Sequence, residues 1–277
     1  MAKKSLPKVA LVIPARWGST RFPGKCLHPI AGKPLVRHVW ERSLLAKNIA
    51  KVLIATDDKR ITDAARAFGA EVVMTSPDHP SGTDRIAEVA TRLRGITHFI
   101  NVQGDEPLID PGLIETLAVE LIHDSKIGMI TAATSFADSK ETDDPNCVKV
   151  VAGASGDALY FSRSRIPFHR DIKDKASAVT PLLHLGIYGY RRDILARLVK
   201  LTPTPLEQCE KLEQLRALEH GIAIRVIRTA HRGVGVDTPA DVFRVEKLLR
   251  KQNGLSKAPK GSMGSKGKSS KQSPKAR

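Results

Sequence analysis

The sequence predicts an α/β domain built on a mostly parallel sheet with an α+β insertion. Short β-branched runs bounded by turn residues recur through the first half, stretches of helical period separate them, and the pattern loosens into strand-like segments beyond Asp124. Strands that alternate with helices lie parallel, since each helix carries the chain back across the sheet.

The first run, residues 8–13, has the length of a strand and is too short for a signal-peptide core, because Pro14 and Arg16 end it. Residues 34–47, 59–68 and 84–93 carry the helical period, and 51–56, 71–74 and 98–102 read as the strands among them. The insertion is expected to supply strands at 129–134, 148–151, 158–161 and 185–190. Residues 205–221 read as one helix with Leu206, Leu212, Leu215 and Leu218 inside, closed by Gly221 in a left-handed cap. A strand at 223–228 and a helix at 240–250 complete the fold. The domain is therefore placed at 6–251, followed by a basic tail, 252–277, of Lys, Ser, Gly and Pro that has too little apolar surface to fold.

Composition narrows the function. No run approaches the roughly 20 apolar residues of a membrane span, and Cys26, Cys147 and Cys209 lack the spacing of a zinc site or disulfide framework. A cytoplasmic enzyme without a membrane span fits both. The net charge of +16 is uneven: half of it lies between Lys251 and Arg277, leaving a mildly basic body. A nucleic-acid-binding reading would rest on that tail, but the tail has no aromatic residue for stacking bases, so only weak, salt-sensitive binding to polyanions is expected from it.

Three segments carry chemistry. The first strand runs into PARWGSTRFPGK, 14–25, which puts Arg16, Arg21 and Lys25 among Gly18, Ser19 and Gly24 beyond a strand end, where ligands of parallel sheets bind. It matches neither the Walker A nor the dinucleotide glycine spacing. A second strand ends in Gln103, Gly104 and Asp105, and Asp237 stands between a strand and the last helix. Each aspartate reads either as a metal carboxylate or as a helix cap; together they would suit one Mg²⁺ that takes its other ligands from water and phosphate.

In order, PARWGSTRFPGK, ATDD, SGTDR, NVQGDEP, YFSRSRIP, HLGIYGY, PLEQCEKLEQLR and GVDTPAD resemble the 3-deoxy-manno-octulosonate cytidylyltransferases, the CMP-Kdo synthetases, over about residues 8 to 250. The resemblance implies a Rossmann-like sheet of the glycosyltransferase-A type, a homodimer formed through the insertion, and a nucleotidyltransferase of the EC 2.7.7 class. That enzyme would transfer CMP from CTP to 3-deoxy-D-manno-octulosonate (Kdo), with Mg²⁺, giving CMP-Kdo and pyrophosphate for the lipopolysaccharide inner core. Carried over by position, Arg16, Lys25, Asp105 and Asp237 are the catalytic group, with Asp105 and Asp237 on the metal. Ala15, Arg16, Ser19, Lys25, Ser81, Gly82, Thr83 and Gln103 bind the nucleotide. Arg163, His184, Tyr188, Glu213 and Gln214 form the sugar-acid pocket. Tyr188 and His184 also read as core residues of a strand, and no general base stands out. CMP-sialic acid synthetase shares the first loop but not HLGIYGY or LEQLR, while an 8-amino-Kdo acceptor would differ by few side chains.

Overall fold

A computed structural model describes residues 7–18, 22–170 and 179–252. Ser19 and Arg21 of the first loop lie outside the described residues. So does the basic tail except for Gln252, which ends the last helix.

In chain order the elements are β1 (Val9–Pro14), β2 (Pro29–Ile30), β3 (Lys33–Pro34), α1 (Leu35–Ser43), β4 (Lys51–Thr56), α2 (Lys59–Ala67), β5 (Glu71–Met74), α3 (Gly82–Arg92), β6 (His98–Asn101), α4 (Pro111–His123) and β7 (Met129–Ser135). They continue with α5 (Ser139–Asp143), β8 (Lys149–Ala152), β9 (Ala158–Ser162), β10 (Leu182–Arg191), α6 (Arg192–Leu198), α7 (Pro205–Glu210), α8 (Gln214–Glu219), β11 (Ile224–Arg228) and α9 (Pro239–Gln252).

The main sheet runs β11-β7-β10-β6-β1-β4-β5. All neighbours along it are parallel except β10, which runs against both β6 and β7. The insertion does not sit apart from this sheet: β7 and β10 are inner strands of it, and the antiparallel pair β8 and β9 extends it through β10.

β1 is buried from Val9 to Ile13, as a central parallel strand covered on both faces must be. Its side chains divide by the period of two. Val9, Leu11 and Ile13 join Val36, Ile61 and Leu117 on one face, and Ala10 and Val12 join Ile86, Leu195 and Leu215 on the other. A third cluster, with Leu108, Val236, Val242, Val245 and Leu249, fastens α9 beside Ile30 and Leu35.

The long helix expected over 205–221 is two helices. Lys211 takes a left-handed φ of 54° and ends α7, and α8 begins at Gln214. The break drops Leu212 into the core and leaves Leu206, expected inside, 41% exposed. Gly221 does follow α8 with a φ of 69°.

Candidate active site

The strand order reverses around β1, whose neighbours are β4 on one side and β6 on the other. Loops leaving the carboxyl ends of adjacent parallel strands diverge at such a point and open a crevice. The β1 loop carries Ala15, Arg16 and Lys25, and the β6 loop carries Gln103, Gly104 and Asp105. Gly104 is needed for this approach, since a Cβ there would lie 2.8 Å from the Pro14 carbonyl oxygen.

Two adjoining cavities occupy the crevice. The first, of about 360 Å³, is lined by Ala15, Arg16, Lys25, Ser81, Gly82, Gln103, Asp105 and Asp237, so most of the expected nucleotide and metal residues come together. The second, of about 230 Å³, is lined by Thr83, Tyr188, Glu213 and Gln214. Ser81, Gly82, Gln103 and Glu213 line both and form the shared wall.

Lys25 is the electrostatic centre of the first chamber. Its Nζ lies 2.6 Å from Asp105 Oδ2 and 3.2 Å from Asp237 Oδ1, and donates to the Val236 carbonyl at 3.1 Å. Burial works against this charge, but Asp105 and then Asp237 outweigh it and raise the Lys25 pKa. The turn before it depends on Gly24: its φ of 69° and its distance of 2.9 Å from a would-be Cβ to the Trp17 ring exclude a side chain. The Arg60 guanidinium lies 3.5 Å above the centre of the same ring.

Ser81 caps α3, its Oγ accepting from the Asp84 N–H at 3.3 Å and donating to Asp84 Oδ2 at 2.7 Å. Thr83 donates to Glu213 Oε2 at 3.4 Å, and Gln103 donates through Nε2 to the Gly186 carbonyl at 3.2 Å. Burial raises the pKa of the Glu213 carboxyl, with Ser81 pulling the other way.

His184 lies against Phe161 and Tyr188, with ring centroids 5.0 and 5.4 Å away, and Nε2 is 3.0 Å from the Thr131 hydroxyl. That hydroxyl has one proton, which it gives to the Ile187 carbonyl at 2.8 Å or the Leu185 carbonyl at 3.2 Å. At His184 it therefore accepts, so the imidazole carries its proton on Nε2. Burial pushes the His184 pKa down to about 3, leaving the ring neutral near pH 7. Burial also raises the Tyr188 phenol.

Arg163 is held away from both cavities. Its guanidinium donates to the carbonyls of Glu210 at 2.7 Å, Pro145 at 2.9 Å and Lys211 at 3.4 Å, clipping the end of β9 to the break between α7 and α8. The cations lining the second chamber are instead Lys211 and Arg216, the latter paired through Nε with Glu207 at 2.8 Å.

Sequence reasoning left several lining residues without a role. Arg85, 4% exposed, lines the first chamber and is held by Asp57 at 2.8 Å and by Thr75. Both partners sit at strand ends, and Arg85 and Asp57 fall within SGTDR and ATDD, which is the signal that marks them. His79, hydrogen-bonded to Glu88, lines it too. In the second chamber Asn101 is marked only by opening NVQGDEP, and Met129 carried no local signal.

The description cytidylyltransferase matches residues 10–224 of the chain. A 3-deoxy-manno-octulosonate cytidylyltransferase of Geobacter metallireducens is 50% identical over 253 residues, 88% of this chain and 99% of its own length. The chain belongs to the 3-deoxy-manno-octulosonate cytidylyltransferase family. Another member, from Myxococcus xanthus, is 48% identical, with 89% of this chain and 98% of that protein covered. A solved CMP:2-keto-3-deoxy-manno-octonic acid synthetase, described as complexed with CTP, superimposes with a TM-score of 0.84 at 44% identity, covering 88% of this chain and 99% of its own. A cytidylyltransferase of Leptospira borgpetersenii, 16% identical with a TM-score of 0.56, shares the fold alone. Among the described residues no helix is long and apolar enough to cross a membrane.

Proposed function

We infer that the protein transfers CMP from CTP to Kdo, releasing pyrophosphate and supplying the activated sugar of the lipopolysaccharide inner core. One observation carries the reading: in a chain of this family, a basic and acidic chamber suited to a nucleoside triphosphate opens through a shared wall into a second chamber suited to a sugar acid.

The anomeric hydroxyl of Kdo attacks the α-phosphorus of CTP: a bond from that oxygen to phosphorus forms, its O–H proton passes to solvent, and the bond to the bridging oxygen breaks as pyrophosphate leaves with the electron pair. Such a transfer depends chiefly on positioning and on offsetting negative charge. Lys25 and Arg16 supply positive charge in the first chamber, and the shared wall of Ser81, Gly82, Gln103 and Glu213 is where the two reacting groups would meet.

Asp105 and Asp237 would hold Mg²⁺. Their fit is supported by a cation, the Lys25 ammonium, already lying within 2.6 and 3.2 Å of both carboxylates, and by an all-oxygen donor set. Among the described residues no group of three or more His, Cys, Asp or Glu side chains could hold a metal ion, so the remaining ligands would have to be phosphate oxygens and water. When bound, the ion would polarise the phosphoryl oxygens and neutralise the charge of the departing pyrophosphate. The homodimer and the cytoplasmic setting belong to the same reading. Exposed Leu159, Phe168 and Val179 in the insertion suit a subunit contact, and a monomeric mass in solution would reject it.

The test is pyrophosphate release from purified protein with CTP, Mg²⁺ and Kdo, with sialic acid and 8-amino-Kdo as comparison acceptors. Release with Kdo, lost on adding EDTA and lowered about 100-fold or more in kcat/KM by Lys25→Met, is expected. No release with Kdo overturns the reading.

A further inference from the structure

Arg16 and Lys25 line the first chamber from the two ends of the β1 loop. The root of that loop is tied to β4, since the Ala15 N–H donates to the Ala55 carbonyl at 2.8 Å. Further out the loop closes on itself: the Gly24 N–H donates to the Trp17 carbonyl at 3.0 Å, and the Trp17 ring lies against Gly24 and the core face that holds Leu11 and Ile13. Trp17 itself lines neither chamber.

The ring centre carries the Arg60 guanidinium, 3.5 Å above it. Arg60 stands in the first turn of α2, where Asp58 accepts from its Nε at 3.0 Å and from a terminal nitrogen at 2.6 Å. Asp58 also caps α2, accepting the Arg60 N–H at 2.8 Å. The hydrogen bonds from the Arg60 side chain are the main reason that the Asp58 carboxyl is held below its usual range. Such a fork fixes the plane of the guanidinium and so sets it to stack on the indole. The two carboxylates of ATDD therefore have separate uses: Asp57 holds Arg85, and Asp58 holds Arg60.

We propose that Arg60 is a positioning residue for the nucleotide chamber, acting through Trp17 to hold the β1 loop, with Arg16 and Lys25, in its ligand-binding shape. The inference rests on the proposed use of that chamber for CTP. A direct role is set aside by two observations: Arg60 lines neither cavity, and Asp58 already offsets its charge. What reaches the chamber is the order of the loop. Arg16 precedes Trp17 directly, so a shift of the indole is passed to Arg16 through one rigid peptide plane. A loop held in shape before the triphosphate arrives binds it more tightly than a loop that the ligand must order. No bond is made or broken at Arg60 or Trp17.

The full chain as wild type, Arg60→Ala, Trp17→Leu and the double variant is compared by the Kd for CTP with Mg²⁺, from equilibrium dialysis, and by steady-state kinetics with Kdo. Leucine keeps an apolar contact with the core and removes the ring face. Arg60→Ala is expected to raise the Kd and the KM for CTP about three- to fivefold, the scale of an exposed cation–π contact, while the KM for Kdo stays within about 1.5-fold. In the Trp17→Leu background the same change is expected to alter the Kd by less than about 1.5-fold, because the partner through which Arg60 acts is gone. Should Trp17→Leu fail to fold, Arg60→Lys carries the test: it keeps the charge, loses the planar fork, and is expected to weaken CTP binding as alanine does. An unchanged Kd in Arg60→Ala, an equal loss with and without the Trp17 ring, wild-type affinity in Arg60→Lys, or both KM values rising together as Tm falls overturns the role of Arg60. Wild type that binds CTP but releases no pyrophosphate with Kdo rejects the proposed reaction and leaves the Kd comparison to decide the role of Arg60; wild type that binds no CTP overturns both.

Discussion

His184 is neutral because it is buried, and that neutrality makes the folded protein sensitive to acid. Its pKa is depressed to about 3 from the 6.5 of a free imidazole, so its contribution to stability is present in full above about pH 6.5 and is lost as pH falls toward 3. In that window the unfolded chain takes up a proton and the folded chain does not. Glutamine can still donate to Thr131 but does not titrate. Relative to wild type, His184→Gln should therefore gain about 2 kcal/mol on going from pH 7 to pH 5, measured by urea unfolding at each pH; equal slopes would show that the folded protein protonates His184. Single residues also differ in how openly a sequence displays their role. Lys25, Asp105 and Asp237, expected together from the ordered motifs, do meet in one chamber. The place of Arg163 is not legible, since an arginine at a strand end looks the same whether it meets a ligand or, as here, three backbone carbonyls.

Among the elements, the break between α7 and α8 shapes the site most. The apolar residues of 205–221 keep a helical period through Lys211, so the pattern announces one helix. The interruption comes from a backbone angle that a lysine side chain does not advertise. A left-handed residue without glycine's freedom is strained by roughly 1–3 kcal/mol. Lys211→Gly should relieve that strain and leave Tm within a few degrees of wild type, while Lys211→Val, β-branched at positive φ, should cost about 1–2 kcal/mol; thermal melts distinguish them. A valine variant as stable as wild type would mean that the turn readily adopts another path. α4 escaped notice for the opposite reason. Leu113, Ile114, Leu117, Ala118 and Leu121 bury one face, but Val119 and Ile122 lie outside that buried set and weaken its contrast in the sequence. The parallel strands β4 and β5 were legible to the residue, because a short apolar run between turn residues has few other readings, whether largely buried as β4 is or at the sheet edge as β5 is. The direction of β10 was not, since a strand's own residues do not say which way its neighbours run.

Across the whole molecule, the described site residues fall between Pro14 and Asp237, and the charge excess is concentrated beyond them. Deleting residues 253–277 should accordingly leave kcat and both KM values within twofold while weakening retention on a polyanionic resin; a large fall in turnover would mean that the tail reaches the cleft. The first chamber lies where a parallel sheet places a ligand, at the reversal around β1, but the second depends on α8, the break before it and β10 meeting the start of α3 and the end of β6 from a distant part of the chain. That meeting gives the two chambers one wall. A ligand on either side that reorients Gln103 or Glu213 alters the free energy of the other, and thermodynamic linkage makes the coupling reciprocal. Whatever factor the nucleotide imposes on the affinity for the sugar acid, the sugar acid imposes on the affinity for the nucleotide.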